Sequence, residues 1–323
     1  MLKYFIKRVL TLIPMTLVIS FLMFMALEFT PGDPLTASLS PDLISTMTEA
    51  ELDAMRESMG LNDHMLVRYG NWLVNLMKGD MGYSIQTGKP IADIIGSLLP
   101  ATIRLCLFAL VLSVFFGLLF GILAAINQNS ALDYIFTVFG VIGISVPEFF
   151  VGIIAMLVFA INLGWFPAQG RTDIGLNAFQ SLKYLVLPGF SISLVITAAL
   201  TRYTRNSMLD VLHKDYVKTA RAKGLPEWKV YFKHAFRNSL MPISVLICMR
   251  LPMLIGGSVV IEQVFGYAGI GTRLITAINS NDYQLVLIIV LLLSIVSLIA
   301  SVLIDLFTAL LDPRVRFGEK GGA

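Results

Sequence analysis

Five ionisable side chains, Glu28, Glu148, Arg250, Glu262 and Asp305, stand inside long apolar runs of this chain. A charge in such surroundings is costly unless it faces a packed interior or a water path, so these residues are the first candidates for function. Counted from the ends of their runs, Glu148 and Arg250 lie at similar depth. That predicts a pair between them, serving either structure or a polar path. Conventional catalysis has no comparable foothold. His64, His213 and His234 are scattered along the chain, and no Ser/His/Asp or paired-carboxylate arrangement is discernible, so no catalytic residue is assigned. The Gly88–Lys89 pair lacks the upstream glycine of a phosphate-binding loop and is followed by Pro90, so the chain is not expected to hydrolyse ATP by itself. Cys106 and Cys248 both fall in apolar runs, which leaves neither a disulfide framework nor a CxxC metal motif. The methionines, Met23 and Met25 among them, are read as packing residues rather than soft-metal ligands, and no metal site is predicted.

A second candidate is a run out of character with its greasy surroundings, DYVKTARAKGLPEWKVYFKHAFRNS at 215–239. Residues before Lys223 lack helix breakers, Gly224 suits a left-handed C-terminal cap, and Pro226 suits the first turn of a new helix. The run therefore reads as helix, tight corner, helix. In the second helix Trp228, Tyr231, Phe232, Ala235 and Phe236 fall at i, i+3, i+4, i+7 and i+8, a single apolar stripe to be buried. Lys229, Lys233 and Arg237 recur every fourth residue beside it. An interfacial helix lying against anionic lipid headgroups would satisfy that pattern. It would leave unexplained the small residues Ala220, Ala222 and Gly224, which would let another protein approach closely. A docking knuckle for a cytoplasmic partner explains both halves.

The frame for these candidates comes from composition. Hydrophobic residues are 56 % of the 323 and charged residues 14 %, and the mean hydropathy is +0.79; these values lie outside the range of soluble domains and point to a membrane protein. The net charge of +3 is too small to argue for nucleic acid or an acidic tail. A span needs about 20 apolar residues, and six runs qualify: the N-terminal run to Leu27, then about 100–126, 134–161, 184–205, 239–264 and 284–311. The first run begins with Lys3, Lys7 and Arg8. It is too long for a signal-peptide core and lacks a clean cleavage motif, so it reads as a span. Packed neighbours allow the prolines at 14, 147, 188, 242 and 252.

Orientation follows from Lys and Arg near the spans. The segment from Arg202 to Arg237 holds nine basic residues against three acids, whereas Pro31–Leu99 holds four against nine. The expected organisation is a first span at 1–30 with a cytoplasmic N-terminus, an external, partly helical segment at 31–99, a five-span core at 100–311 carrying the basic segment 206–238, and a cytoplasmic tail at 312–323. Within the external segment, Thr48, Glu51 and Gly60 predict the start and stop of a short helix.

With these motifs in view, the chain resembles the membrane-spanning permeases of ABC importers, in the dipeptide, oligopeptide and nickel branch. The resemblance covers nearly the whole chain. It rests on DYVKTARAKGL at 215–225 followed by HAFRNSLMP at 234–242, and on TPGDP at 30–34, KGDMGYS at 78–84, LPATIRL at 99–105 and DPRVR at 312–316, in the family's order. Departures stand at Lys218, where the broader importer signature has an acid, at Ala268 in place of a proline, and at Asn281 in place of an arginine. The resemblance implies an all-α, six-span, type I importer permease fold with a cytoplasmic coupling helix between spans four and five. Tyr216, Thr219, Ala220, Arg221, Ala222, Lys223, Gly224, Leu225 and Pro226 would then dock in a cleft on a separate ATPase, and Glu148, Arg250 and Glu262 would line or gate the path. It further implies a bacterial plasma membrane location with both termini cytoplasmic. The implied partners are a second permease chain, two ABC ATPases that use ATP and Mg, an external substrate-binding protein and the lipid bilayer, with no nucleic acid and no cofactor on this chain. Short peptides are the expected cargo; a nickel chelate, a glutathione-like peptide or an oligosaccharide is the alternative, and a secondary transporter or channel is the rival class.

Overall fold

The computed structural model describes residues 2–29, 46–58, 60–170 and 178–311. The TPGDP and DPRVR motifs, the tail at 312–323 and the side chain of Asp305 lie outside the described residues. Among those described, the secondary structure is helical, with one isolated bridge between Tyr83 and Pro90. The chain divides into two compact units, Met1–Pro100 with Gly269–Val296, and Ala101–Ala268 with Ser297–Ala323.

The first unit holds α1 (Leu2–Glu28), α2 (Glu49–Ser58), α3 (Met65–Met77), the start of α4 (Ile91–Ile126), α12 (Ile270–Asn279) and the first half of α13 (Tyr283–Leu311). The start of α2 is set locally, as the Thr48/Glu51 spacing predicts. The Thr48 amide and hydroxyl both donate to Glu51 Oε2 at 2.8 Å, and the Glu51 amide donates back to Thr48 Oγ1. Helix α3 meets α1 through an aromatic cluster in which Phe21, Phe24, Tyr69 and Trp72 stand with ring centroids 5.2–6.0 Å apart. Glu28 closes that contact with an ion pair to Arg68 at 2.5 Å, which answers one of the five charges in apolar runs. Ile91, Ile270, Leu285 and Ile289, all fully buried, form the unit's core. Helix α4 begins at Ile91, well before the predicted start near residue 100, because Pro90 opens the helix and its first turns are covered by this core.

The second unit holds the rest of α4, then α5 (Ala131–Ser145), α6 (Glu148–Ala155) running into a π-helical segment (Met156–Asn162), α7 (Ala178–Leu212), α8 (Asp215–Ala222), α9 (Glu227–Lys229) running into a second π-helical segment (Val230–Phe236), α10 (Arg237–Met249) and α11 (Leu251–Phe265). Helix α7 is the hub: α5, α6, α10 and α11 all pack on it. Its buried stripe includes Leu187, Ile192, Ile196 and Leu200.

Four described helices are each long and apolar enough to cross a membrane, and two further pairs are bent: α5 with α6 by 105°, and α9–α10 with α11 by 43°. Counting each pair as one span gives the six expected. The bends have identifiable causes. Val146, ahead of Pro147, takes an extended conformation (φ −96°, ψ 128°) that a residue before proline prefers, and this ends α5. At the other bend Pro252 has no amide to donate, and Arg250 leaves ideal helical geometry at φ −87°, ψ −12°.

Candidate functional site

The basic run folds as helix, corner, helix. Gly224 holds φ +75°, a left-handed conformation that costs glycine little, and nothing lies within 4 Å of where a Cβ would sit. Pro226 caps the second helix rather than occupying its first turn. The corner is clasped by Arg221, whose Nε and Nη2 donate to the two carboxylate oxygens of Glu227 at 3.0 and 3.3 Å. This hydrogen bonding holds the Arg221 guanidinium above its ordinary value, so the clasp stays charged. Thr219 donates to the Asp215 carbonyl, Lys218 pairs with Asp215, and the Tyr216 hydroxyl accepts from Asn238.

Two expectations about this segment are corrected. Ala220, expected at the surface of the corner, faces the core at 6 % exposure, whereas Ala222, Lys223 and Gly224 form the open tip. The stripe from Trp228 to Phe236 does not bury as one face. Val230 and Ala235 are fully buried, while Trp228 and Phe232 stay 62 % and 51 % exposed. The reason is the π-helical segment at Val230–Phe236: its i→i+5 bonding brings Val230 into line with Ala235, so that Tyr231 and Phe236 pack partly against the buried pair while Phe232 is left outside. The buried pair packs with Ala125, Met208, Leu212 and Val217, which anchors the corner to the ends of α4 and α7. The outcome is an exposed aromatic and basic surface, Tyr216, Trp228 and Phe232 beside Lys223, Lys229 and Lys233, on a buried base. Lys229 Nζ sits 5.5 Å from the Trp228 ring.

Arg205 near the end of α7 grips Asp133 in the first turn of α5 through two hydrogen bonds of 2.5 and 2.8 Å. Asp133 also accepts from the Asn129 amide. The sequence reading passed over this clamp. The Ser130/Asp133 spacing was the available signal, since Ser130 caps α5.

The expected Glu148–Arg250 ion pair does not form among the described residues. Glu148 instead stands against Gly257: a Cβ there would lie 2.5 Å from Glu148 Oε1. Arg250 sits two helical turns earlier, at the N-cap of α11, with Nη1 3.5 Å from Met253 Sδ and Nε buried without a hydrogen-bond partner among the described residues. Depth counted along straight spans placed the two together, whereas both stand at bends. Glu262 is fully buried and accepts the Thr102 hydroxyl at 2.6 Å, so in this conformation it joins α11 to α4 instead of facing an opening.

In the first unit a buried carboxylate organises the loop at 84–86. Asp282 accepts from the Ser84 hydroxyl at 2.5 Å, from the amides of Ile85 and Gln86 at 3.3 and 3.4 Å, and from the Leu285 amide at 3.4 Å. Ser84 closes the KGDMGYS motif, and Arg273 Nη2 donates to its hydroxyl at 3.4 Å. Asn281, at φ +53°, turns the chain into this latch. Asp282 was legible as a cap ahead of α13, but its hold on Ser84 was not.

Comparison with known proteins covers both parts of the chain. Residues 117–317 match the family described as binding-protein-dependent transport system inner membrane component. Residues 1–106 match that described as the N-terminal part of binding-protein-dependent transport system membrane components. Over 98 % of its length the chain is similar to the oligopeptide transport system permease protein AppB of Bacillus subtilis (strain 168), at 37 % identity and covering 100 % of that relative. It is 33 % identical to the dipeptide transport system permease protein DppB of Alkalihalophilus pseudofirmus and to the glutathione transport system permease protein GsiC of Escherichia coli (strain K12), in each case over 98 % of this chain and 100 % of the relative.

Proposed function

Since the chain belongs to the binding-protein-dependent transport system inner membrane component family, we propose that it is the permease subunit of an ATP-driven importer, forming half of the membrane pathway for short peptides. The observation that carries this reading is end-to-end similarity to relatives named for oligopeptide, dipeptide and glutathione transport. Glutathione is itself a small peptide, so the three names agree on cargo class.

The motor is assigned to separate chains, because this one carries no phosphate-binding loop. The corner from Tyr216 to Pro226 is its dock. An open glycine tip, a charged clasp and exposed aromatic side chains on a buried base suit a cleft on an ATPase. When two ATPases close on ATP and Mg, the corner carries the movement into α4 and α7, to which it is anchored, and into α10, which continues directly from it. Basic residues at the corner and N-terminus favour both termini in the cytoplasm. A second permease chain and an external binding protein complete the machine.

Gly224→Asp tests the dock. Aspartate tolerates the left-handed conformation better than most residues, so the fold survives while a charged side chain fills the tip. Solubilised in mild detergent, wild type should co-purify an ATPase with peptide-dependent activity and Gly224→Asp should not. Peptide uptake that persists without ATP would favour a secondary transporter instead.

A further inference from the structure

Glu148 and Arg250 do not pair with each other, and neither has another ionic partner among the described residues, although both stand in membrane segments where an unpaired charge is expensive. Each occupies a break in its span, Glu148 just after Pro147 and Arg250 just before Pro252. Both side chains are half-buried, so they are enclosed by helices yet reachable. Gly257 leaves room for the Glu148 carboxylate, since a methyl group there would collide with it. Arg250 and Gly257 are i and i+7, on one face of a helix whose bonding continues across the bend through the Leu254 amide to the Arg250 carbonyl at 3.1 Å. Seven residues at helical rise put the backbone of Arg250 about 10 Å along the axis from Gly257, against which the Glu148 carboxylate stands. That is the length of about three extended residues.

We propose that Glu148 and Arg250 are the two poles of a subsite for short zwitterionic peptides inside the membrane. The carboxylate receives the free α-ammonium and the guanidinium receives the free α-carboxylate, a geometry that planar guanidinium groups suit. The subsite rests on the peptide-import reading and adds to it a residue-level selectivity for free termini and for length. A transient ion pair with cargo in transit also accounts for why the two side chains lack permanent partners: a pre-formed bridge would have to be broken at each passage.

The test uses the assembled importer core, this chain with its partner permease and ATPases in nanodiscs, with no binding protein present. The probes are radiolabelled trialanine and N-acetyl-trialanine amide. Wild type should bind trialanine at least tenfold more tightly than the doubly blocked peptide. Glu148→Gln and Arg250→Gln should each weaken trialanine binding about tenfold while leaving the blocked peptide unaffected, and Glu148→Asp should restore much of the loss. Equal losses for both probes, no loss, or no binding of trialanine by wild type would overturn the subsite. If a variant fails to assemble, wild type alone decides with singly blocked peptides: blocking either terminus should cost about tenfold. Uptake of trialanine by the complete wild-type importer separates the two readings. Uptake without this selectivity sinks the subsite and leaves peptide import standing; absence of uptake for every peptide tried sinks peptide import itself.

Discussion

Asp282 and Glu148 are both carboxylates among apolar neighbours, and the fold treats them in opposite ways. Asp282 is fully buried, and its oxygens accept one hydroxyl and three amides. Glu148 is half-buried, makes no ion pair among the described residues, and is given room by a glycine. A satisfied buried carboxylate fixes structure, because removing it strands donors in a place that water does not reach. An unsatisfied one costs stability and is available for a ligand.

The strongest way to break this comparison is to neutralise each group in turn. Asp282→Asn should destabilise the first unit by about 3 kcal/mol, since an amide cannot accept all four donors. Glu148→Gln should be neutral or slightly stabilising. Thermal unfolding in nanodiscs, together with limited proteolysis across residues 84–89, checks both; equal effects on the two would erase the distinction. Gly257→Ala should cost about 1–3 kcal/mol by pushing a methyl group into the Glu148 carboxylate. Most of that cost should vanish in a Glu148→Ala background, and additive single effects in the double-mutant cycle would show that the two positions do not touch.

Arg205→Lys sharpens the other side of the comparison. It keeps the charge but loses the two-point grip on Asp133, and should cost about 1 kcal/mol, visible as faster hydrogen exchange at residues 129–134. The smallest effect belongs to Glu51, an exposed carboxylate held below its ordinary value of 4.5 by hydrogen bonds from Thr48. Its stabilising contribution is complete above that value and is lost as pH falls through the depressed one. Exchange in residues 49–58, corrected for intrinsic rates, should therefore accelerate only in strongly acidic solution, and a change near neutral pH would contradict the assignment.

Much of the corner was legible because its determinants are local. Gly224 permits the left-handed turn at little cost and Pro226 fixes its own φ, and Thr48 with Glu51 caps its own helix. The stripe at 228–236 was misread for an equally physical reason: periodicity reveals a buried face only once the helix type is known, and nothing in the spacing announces a π-helical segment. The Glu148–Arg250 pair failed because depth along a straight helix means little across bends of 105° and 43°. The proline positions marked where bends were possible; the packing around α7 decided which prolines bend the chain and which, like Pro188 inside α7, do not.

The sequence by itself determined a helical membrane protein, its approximate spans, the position of the corner and the kinship carried by its motifs, since hydrophobicity and turn chemistry act over a few neighbouring residues. Only the tertiary structure decided which charges are answered. Arg205 finds Asp133 across 72 residues and Ser84 finds Asp282 across 198, and hydrogen bonds of a few ångströms leave no trace in a linear pattern. Whether a charge in an apolar run is mortar or a binding group depends on what the fold places within that short reach.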